Sequence, residues 1–162
     1  MSYEGPVLLG ASHDVDEFDC GDNALNEWLR VRALHNQREG GSRTWVVLDE
    51  RRVVAFYALS TAALIRSRAP KRAARNQPDP LPAVLLGRLA VDTEYQGRGL
   101  AAALLKHFIL KSIEVAELTG VRLLLVHAKN DAARRFYLKY GFEPSPVDDM
   151  TLILLVKDLR GG

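Results

Sequence analysis

The segment Leu89-Ala-Val-Asp-Thr-Glu-Tyr-Gln96-Gly97-Arg98-Gly99-Leu100-Ala101 joins an apolar run to a glycine turn, and the turn opens a long helical pattern. Unpaired backbone N–H groups gather where a helix starts, and the aligned peptide dipoles add positive potential there. Gly97 and Gly99 let the main chain approach a ligand, while Ala101, Ala102 and Ala103 keep the first turn free of bulk. The chemistry this suits is anion binding, with room for a pyrophosphate. No Gly-Lys-Ser/Thr follows, so it is not a Walker loop, and it lacks the third glycine spacing of the dinucleotide fingerprint. A tight strand–helix turn with no ligand uses the same residues, so this segment alone leaves both readings open.

A second segment runs Asn130-Asp-Ala-Ala133-Arg-Arg-Phe136-Tyr137-Leu-Lys-Tyr140-Gly141-Phe142. On a helix, Ala133, Phe136, Tyr137 and Tyr140 fall near one face. Aromatic core anchors on an amphipathic helix give the same stripe. Other candidates are scattered. His13, His35, His107 and His127 lack metal-ligand spacing; His127, at a strand end, suits a structural histidine or a proton relay. The single cysteine, Cys20, excludes an internal disulfide and a four-cysteine zinc site. Trp28 and Trp45 are assigned to the core.

The elements that must hold these residues follow from periodicity. Strands are expected at Val7–Ala11, Thr44–Leu48, Val53–Ser60, Ala83–Val91, Arg122–Ala128 and Thr151–Val156. Asp22 is placed to cap a helix over Asn23–Gln37, ended by Gly40-Gly41. Residues 66–82, rich in Arg and Pro, form a loop with one short helix at Lys71–Arg75. Leu100–Leu118 is a helix closed by Gly120, and Asn130 caps another ending at Gly141. Strand, helix, strand implies a parallel crossover between 83–91 and 122–128. The fold class is therefore α/β: a mixed sheet with helices on both faces, in one domain over residues 1–162.

Composition adds exclusions. Lys and Arg number 22 against 20 Asp and Glu, a net charge of +2 that points to no partner. The distribution is more telling. Asp14, Asp16, Glu17, Asp19, Asp22 and Glu27 form an acidic block, and Arg66, Arg68, Lys71, Arg72 and Arg75 a basic one. No run of about 18 apolar residues exists to span a membrane, and the N-terminus has no secretory character, so a cytoplasmic location is expected.

Taken together and in this order, the two segments resemble the Gcn5-related N-acetyltransferase (GNAT) superfamily. Its Gln/Arg-x-x-Gly-x-Gly/Ala signature is matched by Gln96, Gly99 and Ala101, and its later pattern by Asn130, Ala133, Phe136, Tyr137, Gly141 and Phe142. The resemblance implies a mostly antiparallel sheet with one splayed parallel strand pair, and acetyl-CoA as cosubstrate without a metal. It implies that the backbone of Leu89, Ala90 and Val91 pairs with the pantetheine arm, and that Gln96, Gly97, Arg98, Gly99, Leu100 and Ala101 hold the pyrophosphate. Asn130, Ala133 and Phe136 complete the cofactor set, and Tyr137 is the general acid. A phenol can donate to a departing thiolate, whose reference pKa is about 8.5.

Many members carry a glutamate base on the strand before the signature. Here that strand reads Val84-Leu-Leu-Gly-Arg88-Leu-Ala-Val-Asp92. The missing base points to a substrate amine that is partly neutral already, such as an α-amine near 7.7–8.0. Roles for Arg88, Asp92 and His127 stay open. The first half, with Leu25-Asn-Glu-Trp28, Arg43-Thr-Trp-Val-Val, Phe56-Tyr57-Ala-Leu-Ser and Pro78-Asp-Pro80-Leu-Pro82, is similar to the GNAT toxins of bacterial toxin–antitoxin modules. That likeness implies acetylation of the α-amine of aminoacyl-tRNA and arrest of translation. It implies a homodimer neutralised by a ribbon–helix–helix antitoxin. Arg30, Arg38, Arg43, Arg66, Arg68, Lys71, Arg72, Arg75 and Arg88 would then meet tRNA phosphates. A GNAT acting on a small-molecule or protein amine, and a non-catalytic CoA-binding regulator, remain the alternatives.

Overall fold

Asp22 starts the first helix: its carboxylate accepts from the amides of Ala24 and Leu25 at the head of α1 (Asn23–Glu27). The expected single helix is interrupted. Trp28–Arg32 forms a π turn, closed by the Ala33 amide on the Trp28 carbonyl, before α2 (Ala33–Arg38). Trp28, Leu29 and Ala33 all enter one core from this turn. Gly40, with φ +80°, ends the run.

The computed structural model describes residues 2–160. The strands are β1 (Glu4–Leu8), β2 (Arg43–Asp49), β3 (Arg52–Leu64), β4 (Leu81–Val91), β5 (Leu123–His127), β6 (Glu143–Ser145) and β7 (Asp148–Leu155). They form one sheet in the order β1-β2-β3-β4-β5-β7-β6. β4 and β5 are parallel, with Ala83–Leu86 registered on Leu123–Val126. The pairs β1/β2, β2/β3, β5/β7 and β6/β7 are antiparallel. The remaining helices are α3 (Lys71–Ala74), α4 (Leu100–Leu118), α5 (Asp131–Lys139) and α6 (Val156–Arg160). This is the mixed α/β class expected, with the parallel crossover in place. Among the described residues no helix is long and apolar enough to cross a membrane.

The chain divides into two compact units, which share β3, β4 and α4 by covalent continuity. One holds the chain up to Ser60 together with Gly87–Phe108; the other holds Thr61–Leu86 and the chain from Ile109 onward. The core of the first gathers Phe18, Trp28, Leu29, Val46, Phe56 and Ala90. That of the second gathers Leu64, Leu81, Ala83, Leu123, Leu125 and Ile153.

Some boundaries differ from expectation for local reasons. β1 spans Glu4–Leu8 rather than Val7–Ala11, because Gly10 and His13 close a turn through the Gly10 carbonyl and His13 Nδ1. α4 ends as expected, but Gly120 does not take a positive φ. Thr119 terminates the helix instead: its hydroxyl donates to the Val115 carbonyl and accepts the Val121 amide. β7 begins at Asp148, and Val156 belongs to α6 rather than to the last strand. The three-residue β6 gave no periodic signal.

Candidate functional site

In the first unit, β4 ends at Val91 and the chain enters a single 3₁₀ turn, Thr93–Tyr95. Asp92 organises this exit. It is 1% exposed, and its carboxylate accepts from the Glu94 amide, the Asp19 amide and Arg52 Nη2 at 3.0 Å. Those bonds use both oxygens, so Asp92 is an anchor for the turn. Gln96 then folds back, its Nε2 donating to the Val91 carbonyl at 3.0 Å. Arg98 lies over the Tyr95 ring and donates to the Tyr3 hydroxyl, and Tyr95 donates to Asp49.

Gly97 and Gly99 both sit in the left-handed region, at φ +80° and +81°. A Cβ built on either meets no atom within 4 Å. The glycines therefore serve conformation and leave an open cradle at the head of α4. Leu100 is buried and Ala101 half-buried, and their amides stand in the first turn of the helix. An open helix head of this kind is where anions bind in proteins generally. Arg88 stacks on Trp28, its guanidinium 4.2 Å from the ring centroid, and burial pushes its pKa down. A cation held this way is no proton acceptor.

In the second unit, Asn130 caps α5: its Oδ1 accepts the Ala133 amide at 2.8 Å. Ala133 and Phe136 are half-buried. Tyr137 is 6% exposed, with its ring edge-on to Phe136 and Phe142. Among the described residues its hydroxyl has no hydrogen-bond partner. Burial raises the phenol above the ordinary tyrosine value, so it stays protonated well past neutral pH. Tyr140, one turn on, is 40% exposed. Of the two tyrosines only Tyr137 combines a fixed ring with an uncommitted donor.

The basic residues divide into two groups. Arg30 donates to the Phe18 carbonyl at 2.7 Å and Arg43 to the Gln37 carbonyl at 3.3 Å, so both brace their own loops. Arg68 pairs with Asp148, and Arg72 is held by Glu143 at 2.6 Å and Asp158 at 2.9 Å. Arg38, Arg66, Lys71 and Arg75 are exposed and make no ion pair among the described residues. Sequence reasoning missed Arg122 and Lys157. They line a cavity of about 380 Å³ with Arg72 and Arg75, reached from strands and helices far apart in the chain. Asp148 and Thr151, which are hydrogen-bonded to each other, with Thr151 also 3.1 Å from His127, lay outside that reading too; their signal was a polar interruption, Asp148-Asp-Met-Thr151, ahead of an apolar run. No group of three or more metal-ligating side chains occurs among the described residues.

Comparison with known proteins sets these features in a family. The profile of the acetyltransferase (GNAT) domain matches residues 40–144. A tRNA-acetylating toxin of Mycobacterium tuberculosis is 46% identical over 158 residues, 98% of this chain and 95% of that protein. The solved structure of AtaT complexed with acetyl-methionyl-tRNAfMet is 30% identical, with a TM-score of 0.87 over 98% of this chain and 96% of that one. That of AtaTR bound with AcCoA is 29% identical, with a TM-score of 0.80 over 98% and 95%. A glycine cradle at a helix head, a buried protonated tyrosine and a profile match across most of the chain lead to one assignment: the chain belongs to the GNAT acetyltransferase family.

Proposed function

We propose that this chain is the toxin of a type II toxin–antitoxin module, transferring acetyl from acetyl-CoA to the α-amine of an aminoacyl-tRNA and so blocking translation. The observation that carries the reading is the 46% identity to a tRNA-acetylating toxin across nearly the whole chain. The solved likenesses with acetylated tRNA and with AcCoA support the same substrates.

Each residue then has a task. The amides of Gly97, Arg98, Gly99, Leu100 and Ala101 receive the pyrophosphate of acetyl-CoA at the open cradle, and Gln96 keeps that turn closed on β4. The main chain of Leu89, Ala90 and Val91 pairs with the pantetheine arm. Asn130 and Ala133 fix the start of α5, and Phe136 packs Tyr137. The neutral α-amine attacks the thioester carbonyl, the C–S bond breaks, and Tyr137 gives its proton to the sulfur. A phenol held protonated by burial is suited to this donation. Arg38, Arg66, Lys71 and Arg75 meet phosphates of the tRNA, while Arg30, Arg43, Arg68, Arg72 and Arg88, whose guanidinium groups are held by partners within the protein, add positive charge.

The chain works as one acetyltransferase domain over 1–162, as a homodimer in the cytoplasm, without a metal. Its partner is an antitoxin with a ribbon–helix–helix DNA-binding end. Structures of a KacTA–DNA complex and of AtaT bound to the C-terminus of AtaR support a partner of this kind. The test is transfer of labelled acetyl into charged tRNA, deacylated tRNA, free amino acids and a lysine peptide in parallel. Label on charged tRNA alone is expected; label on free amines would replace the reading with a small-amine or protein acetyltransferase.

A further inference from the structure

The proposed reaction needs a group to take a proton from the amine, and β4 offers no glutamate. The second unit offers another arrangement. Asp148 Oδ1 accepts the Met150 amide at 3.0 Å, and Asp148 Oδ2 accepts the Thr151 hydroxyl at 2.8 Å. Thr151, on β7, stands opposite His127 at the end of β5, and its Oγ1 lies 3.1 Å from His127 Nδ1. A carboxylate can only accept, so the one hydroxyl proton of Thr151 is committed to Asp148. Thr151 must therefore accept from the ring, which places the proton of neutral His127 on Nδ1. Nε2 is left as a lone pair, with no partner among the described residues, on an exposed side chain.

The surroundings tie this chain of bonds to the substrate-handling elements of the same unit. Arg68, in the basic segment, reaches Asp148 Oδ2 at 3.4 Å, and its carbonyl accepts the Ser145 hydroxyl at 2.6 Å. Arg134, three residues before Tyr137 on α5, donates to the Asp149 carbonyl at 2.9 Å. The turn from β6 into β7 is thus braced on one side by the basic segment and on the other by the helix that carries Tyr137. His127 is also three residues before Asn130, the cap of that helix. A histidine whose second nitrogen is held by a carboxylate-backed hydroxyl is a ring fixed in tautomer and orientation, as a general base requires.

We propose that His127 Nε2 is the general base of acetyl transfer, with Thr151 and Asp148 as its positioning residues. The inference rests on the aminoacyl-tRNA reading above. The N–C bond forms as the thioester C–S bond breaks, the amine proton passes to Nε2, and the Tyr137 proton passes to sulfur. The imidazolium then loses its proton to solvent and Tyr137 regains one, which leaves an amide and free CoA. The charges that face the ring are Asp148 on β7 and, through it, Arg68.

The experiment uses full-length wild type, His127→Asn and His127→Gln with acetyl-CoA and charged tRNA across pH. Asparagine can replace the Nδ1–H donor but carries no basic atom at Nε2. Acetyl-CoA affinity and thermal midpoint should match wild type, which separates chemistry from folding. The rate is expected to fall about 10- to 100-fold, and the acid limb of log kcat/KM against pH to lose about one unit of slope. Variants that keep the wild-type rate and limb overturn His127 as base and leave the substrate reading standing. A wild type that labels no charged tRNA overturns the substrate reading and this inference with it.

Discussion

The turn at Gln96–Ala101 and the array around His127 are the two places to which we assign ligand contacts, and they are made from different materials. The turn is made of main chain: two left-handed glycines and a helix start, contiguous in sequence. The array is made of side chains, with partners 24 and 80 residues apart. A main-chain site tolerates new side chains except where φ is positive, since only glycine adopts that geometry without strain. A side-chain array tolerates backbone shifts poorly and fails when one member is changed. The site proposed in the first unit is therefore set by conformation, and the one proposed in the second by residue identity.

The largest expected effect tests the second kind. Tyr137→Phe removes one oxygen from a buried ring, and kcat should fall about 10²- to 10⁴-fold with acetyl-CoA affinity unchanged. A drop in affinity of similar size would mean that Tyr137 is packing rather than chemistry. Next is the anchor beneath the turn. Asp92→Ala removes the 3.0 Å partner of Arg52, which keeps only its longer contacts to Glu94 and Glu17, and leaves the Asp19 and Glu94 amides unpaired, so stability should fall by about 2 kcal/mol in denaturant unfolding. The conformational nature of the cradle is tested by Gly99→Val, which combines positive-φ strain of about 1–3 kcal/mol with a side chain in the open space. Acetyl-CoA should bind about 10- to 100-fold more weakly by calorimetry. Arg98→Ala at the same turn should cost far less, and equal losses would break the comparison.

Two smaller effects sharpen it. Arg75→Glu should weaken charged-tRNA binding and lower the salt slope by about one or more, with acetyl-CoA binding intact. Arg75 is a cleaner probe than Arg72, whose reversal would also break two ion pairs. The smallest concerns acid. The Met150 amide and the Thr151 hydroxyl hold the Asp148 carboxyl below its usual range. Its contribution to stability is present above the unfolded value near 3.8 and is lost as pH falls through the lower folded value. Asp148→Asn should therefore lower the thermal midpoint at neutral pH and flatten its fall in acid.

Much of this was legible from local pattern. Asp22 and Asn130 cap the helices where their types predict, and α4 spans the expected Leu100–Leu118. Capping and amphipathic spacing act within a few residues, so one stretch of chain suffices to read them. The π turn at Trp28–Arg32 and the Thr119 stop were not legible. Both depend on what the helix packs against or which rotamer a hydroxyl takes. The same limit held for the basic residues. Sequence marks Arg68 and Arg72 as positive, but only the fold supplies Asp148, Glu143 and Asp158 as their partners.

By itself, the sequence determined the α/β class and the glycine turn at the head of a long helix, and its resemblance to the GNAT superfamily singled out Tyr137 as a candidate acid. These rest on short-range backbone geometry and on motifs contiguous in the chain. Tertiary structure alone decided that Asp92 is an anchor, that the Tyr137 hydroxyl has no partner among the described residues, and that the Thr151 proton belongs to Asp148. Hydrogen-bond partnership depends on which atoms lie within about 3 Å, and that distance is set by strands and turns whose separation along the chain carries no record of it.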